Sequence, residues 1–411
     1  MSLIVFLQEE LPELANGQSD SVPPHAAMVE ALFTEIVDLD QMILFRPAWA
    51  DLVTRALEPN VFLEPAFAIP LFQHCQNQKK LGFLLSWVQA ATDPRHELIG
   101  LLPLALPLRS FSCFARGVAH PQAPLGTPLF DRDEGQKALR HMAVWMRDHH
   151  PRLRGLMLSH LPCQGPVFTL IETHATAMHG KLSLFNMHER AALKKTAEAG
   201  AFPNGFISTK RRNNYRQQRR QLSRTGEVTY QTVSSPADVS RAAEAFLSLE
   251  LKGWKGERKT ALLATSSGAA FFRAMTRALA SEGKCRIDSL ELADIPIAMG
   301  VALKSGASGY FWKTAYDEQF ARFSPGVQLT LELTQAQLAQ TDITSTDSCA
   351  VSNHPMIDHI WRDRISIANV LIPLNARPGV TFRLGVSQEQ AYLWLRGTAK
   401  SMLRRLLRRR H

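Results

Sequence analysis

A chain of 411 residues is too long for one ordinary core, and its 45% hydrophobic and 20% charged content excludes an intrinsically disordered protein. The five cysteines are widely spaced, odd in number and without a C-x-x-C pair, which argues against a disulfide framework and for a reducing, cytoplasmic compartment. The net charge of +10 is concentrated in two runs, seven cations from Lys210 to Arg224 and six from Lys400 to Arg410, so the rest of the chain is net acidic.

The apolar stretch Met1–Leu7 is followed at once by Glu9, Glu10 and Glu13 and has no basic region before it, so it does not read as a signal peptide. Residues 1–28 are expected to form a polar leader. Ile99–Leu108, the longest strongly apolar run, holds ten residues and two prolines, against the roughly 20 that a membrane-spanning helix needs. From Asn60 to Leu108 short apolar runs alternate with polar turns, which predicts strands at Val61–Leu63, Leu81–Val88 and Leu98–Leu106, with a turn at Thr92-Asp93-Pro94. Gly135–His149 places Leu139, Met142, Trp145 and Met146 on one helical face, and Leu156–Leu161 reads as a buried strand.

In the second half, the run Lys210–Arg224 has Arg212, Arg216, Arg219 and Arg220 at helical spacing. Ser235, Pro236 and Asp238 then combine an N-cap, a proline at the first helical position and a capping acid, so a helix starts there and ends near Gly253. A second helix is predicted over Gly268–Ser281. An antiparallel meander follows, Arg286–Leu292, Ile297–Leu303 and Gly309–Ala315. The loop Arg322-Phe323-Ser324-Pro325-Gly326 opens the next helix, and unpaired amides at a helix start suit an anion. Ile343–Cys349 reads as a strand, His354–Trp361 as a short helix and Ile365–Ile372 as a last strand. The text carries no internal repeat at a period of 20 to 50 residues.

This order, with Phe246-Leu247-Ser248-Leu249-Glu250, Gly253-Trp254-Lys255-Gly256, Ile297-Ala298-Met299, Trp312-Lys313-Thr314-Ala315-Tyr316-Asp317 and Ser324-Pro325-Gly326, resembles the GNAT acyltransferases. More narrowly it resembles the acetyltransferase domain of CelD-like proteins of cellulose and exopolysaccharide biosynthesis, which are related to the FemABX aminoacyltransferases. The likeness is strongest from about Gly205 to Trp361, while Asn60–Pro65 and Leu98–Pro103 resemble the divergent first half of double-GNAT chains. The resemblance implies an α/β fold of two tandem GNAT-like domains, mixed and mostly antiparallel sheets flanked by helices: a leader at 1–28, a divergent domain at 29–200, an acetyltransferase domain at 201–395 and a basic amphipathic tail at 396–411.

It further implies an N- or O-acyltransferase that uses acetyl-CoA or another acyl-CoA, needs no metal, and transfers directly to a sugar or a lipid-linked cell-envelope precursor. Glu250, Tyr316 and Asp347 are the implied catalytic groups. Arg322, Ser324, Pro325, Gly326 and Val327 would hold the donor, and Trp254, Lys255, Trp312 and Lys313 the acceptor. Arg322–Val327 departs from the usual Arg/Gln-x-x-Gly-x-Gly/Ala loop. Strand alternation would send Trp312, Thr314 and Tyr316 to one face and Lys313 and Ala315 to the other. The i, i+5 spacing of His354 and His359 puts them on different helix faces, which disfavours a metal.

Two other functions fit the same residues. A FemABX-like transfer from aminoacyl-tRNA would use the basic run for RNA, and a binding protein would keep the fold without a donor site. The tail, with Met402, Leu403, Leu406 and Leu407 among arginines, has the pattern of a helix lying on the anionic inner face of a membrane.

Overall fold

The computed structural model describes residues 31–89, 96–108, 113–196, 202–204, 206–376 and 379–408, so the expected leader lies outside the described residues. In the first half the elements are β1 (Ala31–Val37), α1 (Leu39–Leu44), α2 (Arg46–Arg55), α3 (Pro65–Cys75), β2 (Leu81–Gln89), β3 (His96–Ala105), β4 (Phe114–Arg116), β5 (Leu129–Phe130), α4 (Gly135–His149), β6 (Gly155–Pro162), α5 (Pro166–Ala177) and β7 (Ser183–Lys194). The second half holds α6 (Thr209–Leu222), β8 (Val228–Val233), α7 (Pro236–Lys252), α8 (Trp254–Glu257), α9 (Ser266–Ser281), β9 (Cys285–Leu292), β10 (Ile295–Ser305), β11 (Ser308–Tyr316), α10 (Pro325–Ala339), β12 (Ser345–Asp347), β13 (Asp363–Pro373) and α11 (Val380–Arg408).

Local chemistry accounts for most of these bounds. Ser235 caps α7 by accepting the Asp238 amide at 3.2 Å, with Pro236 in the first turn. Ala293 and Asp294, both at positive φ, close the β9–β10 hairpin in two residues, and Gly306 at φ 51° opens the next turn. The strand expected at Val61–Leu63 is instead a single 3-10 turn, because Asn60 caps the Phe62 amide at 3.1 Å and Pro65 starts α3 directly behind it. Likewise His354–Trp361 condenses to a 3-10 turn at Ile357–His359. The tail is no separate element: α11 begins at Val380 and runs through Gly397.

The chain is a mixed α/β protein with one large mixed sheet. Nine strands follow the order β4-β6-β13-β7-β12-β11-β10-β9-β8, and four more follow β1-β2-β3-β5, with a bridge between Leu104 and Gly117 linking the two sheets. The same order of elements occurs twice: a strand, helices, two antiparallel strands, a third strand, a long helix, a strand parallel to the third, and a last antiparallel strand. The parallel pairs are β4·β6 and β11·β12. The last strands are exchanged, since β7 pairs with β12 of the second half and β13 with β6 of the first. The sheet therefore runs unbroken across residue 200. This duplication spans about half the chain, far beyond the short periods sought in the sequence.

The core is shared as well. Phe67 of α3 meets Phe271 of α9 and Trp312 of β11 at ring distances of 5.4 and 5.6 Å. Tyr310 donates its hydroxyl to the Pro59 carbonyl at 2.9 Å. Where β7 meets β12, the buried Arg190 guanidinium pairs with the buried Asp347 carboxylate, and Asp347 Oδ1 also accepts the Cys349 amide at 2.8 Å. Removing one partner of such a pair leaves a lone charge in a poor solvent. Arg190→Leu should lower unfolding free energy by about 3–5 kcal/mol in urea denaturation, and Asp347→Leu added to it should recover part of that loss. Equal destabilisation of the single and double variants would show that the charge pair is not the source.

Candidate active site

The site begins where two strands part. β11 and β12 pair in parallel only over Ser308–Tyr310 and Ser345–Asp347. Beyond Tyr310, β11 continues to Tyr316 while the chain after Asp347 turns away, helped by Cys349 at φ 52°. The free edge of β11 then borders a cavity of about 550 Å³, closed on its other sides by the start of α10, by Gly253–Lys255 and by the segments Ser348–Ala350 and His354–Ile357. An unpaired strand edge with backbone donors and acceptors suits an extended, amide-bearing ligand.

A bulge redirects the side chains of β11. Val301 pairs with Lys313 but Ala302 with Phe311, so Trp312 is the extra residue. Trp312 and Lys313 consequently share a face, contrary to simple alternation. The Trp312 ring stacks in the aromatic cluster of Phe67, Phe271 and Phe272, with its Nε1 donating to the Gln122 carbonyl at 2.8 Å, and only part of it reaches the cavity. Lys313 Nζ lies 4.9 Å from the Trp312 ring centroid and faces the cavity without an ion-pair partner among the described residues. Burial lowers its pKa to about 8, assisted by Lys255 and opposed by Glu250 and Cys349. Tyr316 turns to the opposite face, beside Phe323 and Leu329.

Glu250, at the end of α7, is buried in the cavity wall rather than solvated. Its Oε1 accepts Lys255 Nζ at 2.8 Å and its Oε2 accepts the Leu262 amide at 2.8 Å. Lys255 Nζ also donates to the Thr314 carbonyl at 3.0 Å, tying the helix end to β11. Trp254 stands half-exposed at the mouth, its amide held by Glu318 Oε1 at 2.6 Å and its ring covered by Arg258.

On the other wall, Ser324 sits in the left-handed region at φ 52° and Pro325 begins α10. Pro325 has no N–H, and the Val327 and Gln328 amides both reach the Ser324 carbonyl, at 3.0 and 3.1 Å. The Gly326 amide is thus the first-turn donor left without a partner among the described residues, fewer than a loop of open amides would present. A Cβ at Gly326 would point into the cavity, 3.5 Å from the Tyr316 ring and 3.7 Å from the Met356 sulfur.

Of the residues singled out from the sequence, Glu250, Trp254, Lys255, Trp312, Lys313, Tyr316, Ser324, Pro325, Gly326 and Val327 border this one cavity. Two do not. Asp347 is consumed by Arg190, and Arg322 lies over the Phe323 ring while its carbonyl accepts Gln218 Nε2 of α6 at 3.2 Å. Ser348 and Met356 belong to no motif in the sequence, and His354 stood out there only for its spacing to His359; all three reach the cavity through the chain after β12. His354 is kept neutral by burial, which lowers its pKa, and its Nδ1 accepts the Met356 amide at 3.3 Å. Among the described residues no group of three or more histidine, cysteine, aspartate or glutamate side chains could hold a metal ion.

In the first half the corresponding gap is filled. After β4 and β6 part, Gly126 returns beside β6 and donates its amide to the His160 carbonyl at 3.2 Å, so close that a Cβ there would run into the Ser159 carbonyl.

Residues 209–350 match the family profile described as Acetyltransferase (GNAT) domain. The segment contains β11, α10 and the gap between β11 and β12, so the cavity belongs to a domain of the GNAT acyltransferase type. No curated protein matches the chain in sequence. In architecture it is similar to the crystal structure of FemX, at 10% identity over 78% of this chain and 95% of that one, with a TM-score of 0.49. A tandem GNAT protein from the clavulanic acid biosynthesis pathway is similar at 15% identity, 84% and 99% coverage and a TM-score of 0.39. The C-terminal domain of a putative lysylphosphatidylglycerol synthetase from Agrobacterium fabrum is similar at 11% identity, 85% and 96% coverage and 0.46. These likenesses carry no information on donor or acceptor.

Since a Cβ at Gly326 would sit at ordinary van der Waals distance from the Tyr316 ring and the Met356 sulfur, without a clash, Gly326→Val should fill part of the cavity and abolish any binding of CoA in a calorimetric titration while shifting the thermal midpoint little. Gly326→Ala should be as stable as the parent or up to about 1 kcal/mol more so, because alanine favours a helix over glycine. Parallel loss of stability and binding in the valine variant would make Gly326 a structural residue only.

Proposed function

We propose that the chain is an acyl-CoA-dependent N- or O-acyltransferase that passes the acyl group directly to a sugar or cell-envelope precursor, with its chemistry in the second half. The observation that carries this reading is the parting of β11 and β12 beside the start of α10, inside the matched domain. The cavity fits the donor's chemistry. The free edge of β11 can pair with the two amides of a pantetheine arm, the apolar side chains of Val327 and Met356 can cover it, and the positive end of α10 with the Gly326 amide can face its pyrophosphate.

Several cavity residues then have roles. Backbone N–H groups along β11 stabilise charge that develops on the acyl oxygen. Tyr316, whose hydroxyl has no hydrogen-bond partner among the described residues, returns a proton to the leaving sulfur. The Glu250–Lys255 pair and Trp254 orient the acceptor, and Glu250, the carboxylate in the cavity lining, receives its proton. Asp347 has no part in this chemistry. The sugar or exopolysaccharide acceptor rests on the resemblance of Phe246–Gly256 and Trp312–Asp317 to CelD-like sequences.

One observation favours donor recognition through a polyanion such as tRNA. α6 lies along the Arg322 loop through Gln218 and exposes Arg211, Arg216 and Arg220. Acetyl-CoA turnover with amine and sugar acceptors separates the two readings. Salt-sensitive tRNA binding without thioester turnover would replace acyl-CoA by aminoacyl-tRNA. Under the acyl-CoA reading, Tyr316→Phe should lower kcat about a hundredfold with CoA affinity kept. Glu250→Gln should also lower kcat, and full activity in that variant would remove Glu250 from proton transfer.

Contact with an anionic membrane is proposed for α11. Its Phe382, Val386 and Leu393 pack against the body, and Glu389 pairs with Arg116 at 2.6 Å. The other side leaves Leu384, Trp394 and Leu395 exposed, by 65%, 68% and 58%, just before the basic run. No helix among the described residues is long and apolar enough to cross a membrane. The intact chain should co-sediment with phosphatidylglycerol vesicles at low salt and lose this on deletion of residues 400–411 or by Trp394→Glu. An intact chain that stays in the supernatant sinks the idea.

A further inference from the structure

Lys313 stands apart from the other nucleophilic groups of the cavity. Lys255 is engaged by Glu250 and by the Thr314 carbonyl. Cys349 directs its sulfur to the Asp347 carbonyl at 3.8 Å, and burial together with Asp347 pushes its thiol well above the usual range, so little thiolate forms. The imidazole of His354 is held through Nδ1 by the Met356 and Ile357 amides, at 3.3 and 3.4 Å. Lys313 has no such anchor. The bulge at Trp312 turns it toward the cavity from the very strand whose free edge would hold an acyl thioester.

We infer that Lys313 is a self-acylation site: with an acyl thioester in the cavity and no acceptor present, the Lys313 amine takes the acyl group and the cavity closes itself. This rests on the acyl-CoA reading above. In the step, the Nζ lone pair forms an N–C bond to the thioester carbonyl carbon and the C–S bond breaks. The sulfur leaves as thiolate and takes up the proton that Nζ loses. The products are an amide on Lys313 and free CoA thiol, with no oxidant or further reactant. An amide is more stable than a thioester, so the acyl group stays on the chain. It also removes the positive charge of Lys313 and adds apolar bulk to the cavity. The chain thereby limits thioester consumption when acceptor is scarce.

The charge of Lys313 is set first by burial and then by Glu250 on α7 and Lys255 on α8; the protonated Cys349 thiol after β12 and His120 also lie beside it. With its pKa at about 8, the reactive neutral amine rises from about one molecule in ten near pH 7 to about half near pH 8, so acylation should speed up about fivefold over that interval.

The test is to incubate the full chain with acetyl-CoA and no acceptor, follow intact mass, and map modified lysines by peptide mass spectrometry. The expected result is one acetyl group at Lys313, formed faster than at the exposed Lys210 and Lys252, rising with pH as stated and blocked by excess CoA. Lys313→Arg and Lys313→Gln should both lose the adduct while still binding CoA in a calorimetric titration. Bound CoA with Lys313 unmodified, or label spread over exposed lysines and unchanged in both variants, overturns the inference and leaves the acyl-CoA reading standing. Failure of the parent chain to bind CoA overturns both.

Discussion

The site depends on a single restriction, that β11 and β12 are allowed to pair for three residues and no more. Unpaired strand edges are costly when buried, because each peptide group that loses water must find another partner. Here the edge is left open toward a cavity, where water or a ligand can satisfy it. The left-handed turn at Cys349 and the bulge at Trp312 are the local devices that keep the strands from closing. Continued pairing would remove the space in which a donor and an acceptor could meet.

The first half holds that gap open from outside. Arg190 fixes the end of β12 through Asp347, Pro59 receives the hydroxyl of Tyr310, and Gln122 receives the indole of Trp312. All three contacts come from the first half and land on the strands that border the cavity. The corresponding space in the first half is taken up by its own chain around Gly126. One half thus serves as the support and the other carries the opening, although both have the same order of elements.

What could be read in the sequence was what local rules decide. The cap at Ser235, the strands and turns of the meander and the loop before α10 each leave a local pattern, and all were legible. Misreadings arose where a local pattern was ambiguous. Val61-Phe62-Leu63 is apolar and β-prone, but Asn60 and Pro65 on either side favour a turn into a helix. The bulge moved Trp312 to the face of Lys313 because alternation assumes an unbroken register. The pairing of Asp347 with Arg190 left no mark in the sequence, because the two lie 157 residues apart. The wall supplied by His354 and Met356 falls in a stretch that reads as a short helix, but only a 3-10 turn forms at Ile357–His359 and the chain before it carries these side chains to the cavity.

The exchange of β7 and β13 has a consequence for the way the chain is made. During synthesis the first half emerges first, and domains generally fold as units as they appear. Here one edge of β6 stays unpaired until Asp363–Pro373 has been added, and β7 has no strand beside it until β12 and β13 arrive. The first half must wait with an exposed, hydrogen-bond-hungry margin at both strands. Two chains emerging side by side could each lend β13 to the other, giving an entwined pair whose sheets are complete and whose contacts are all native.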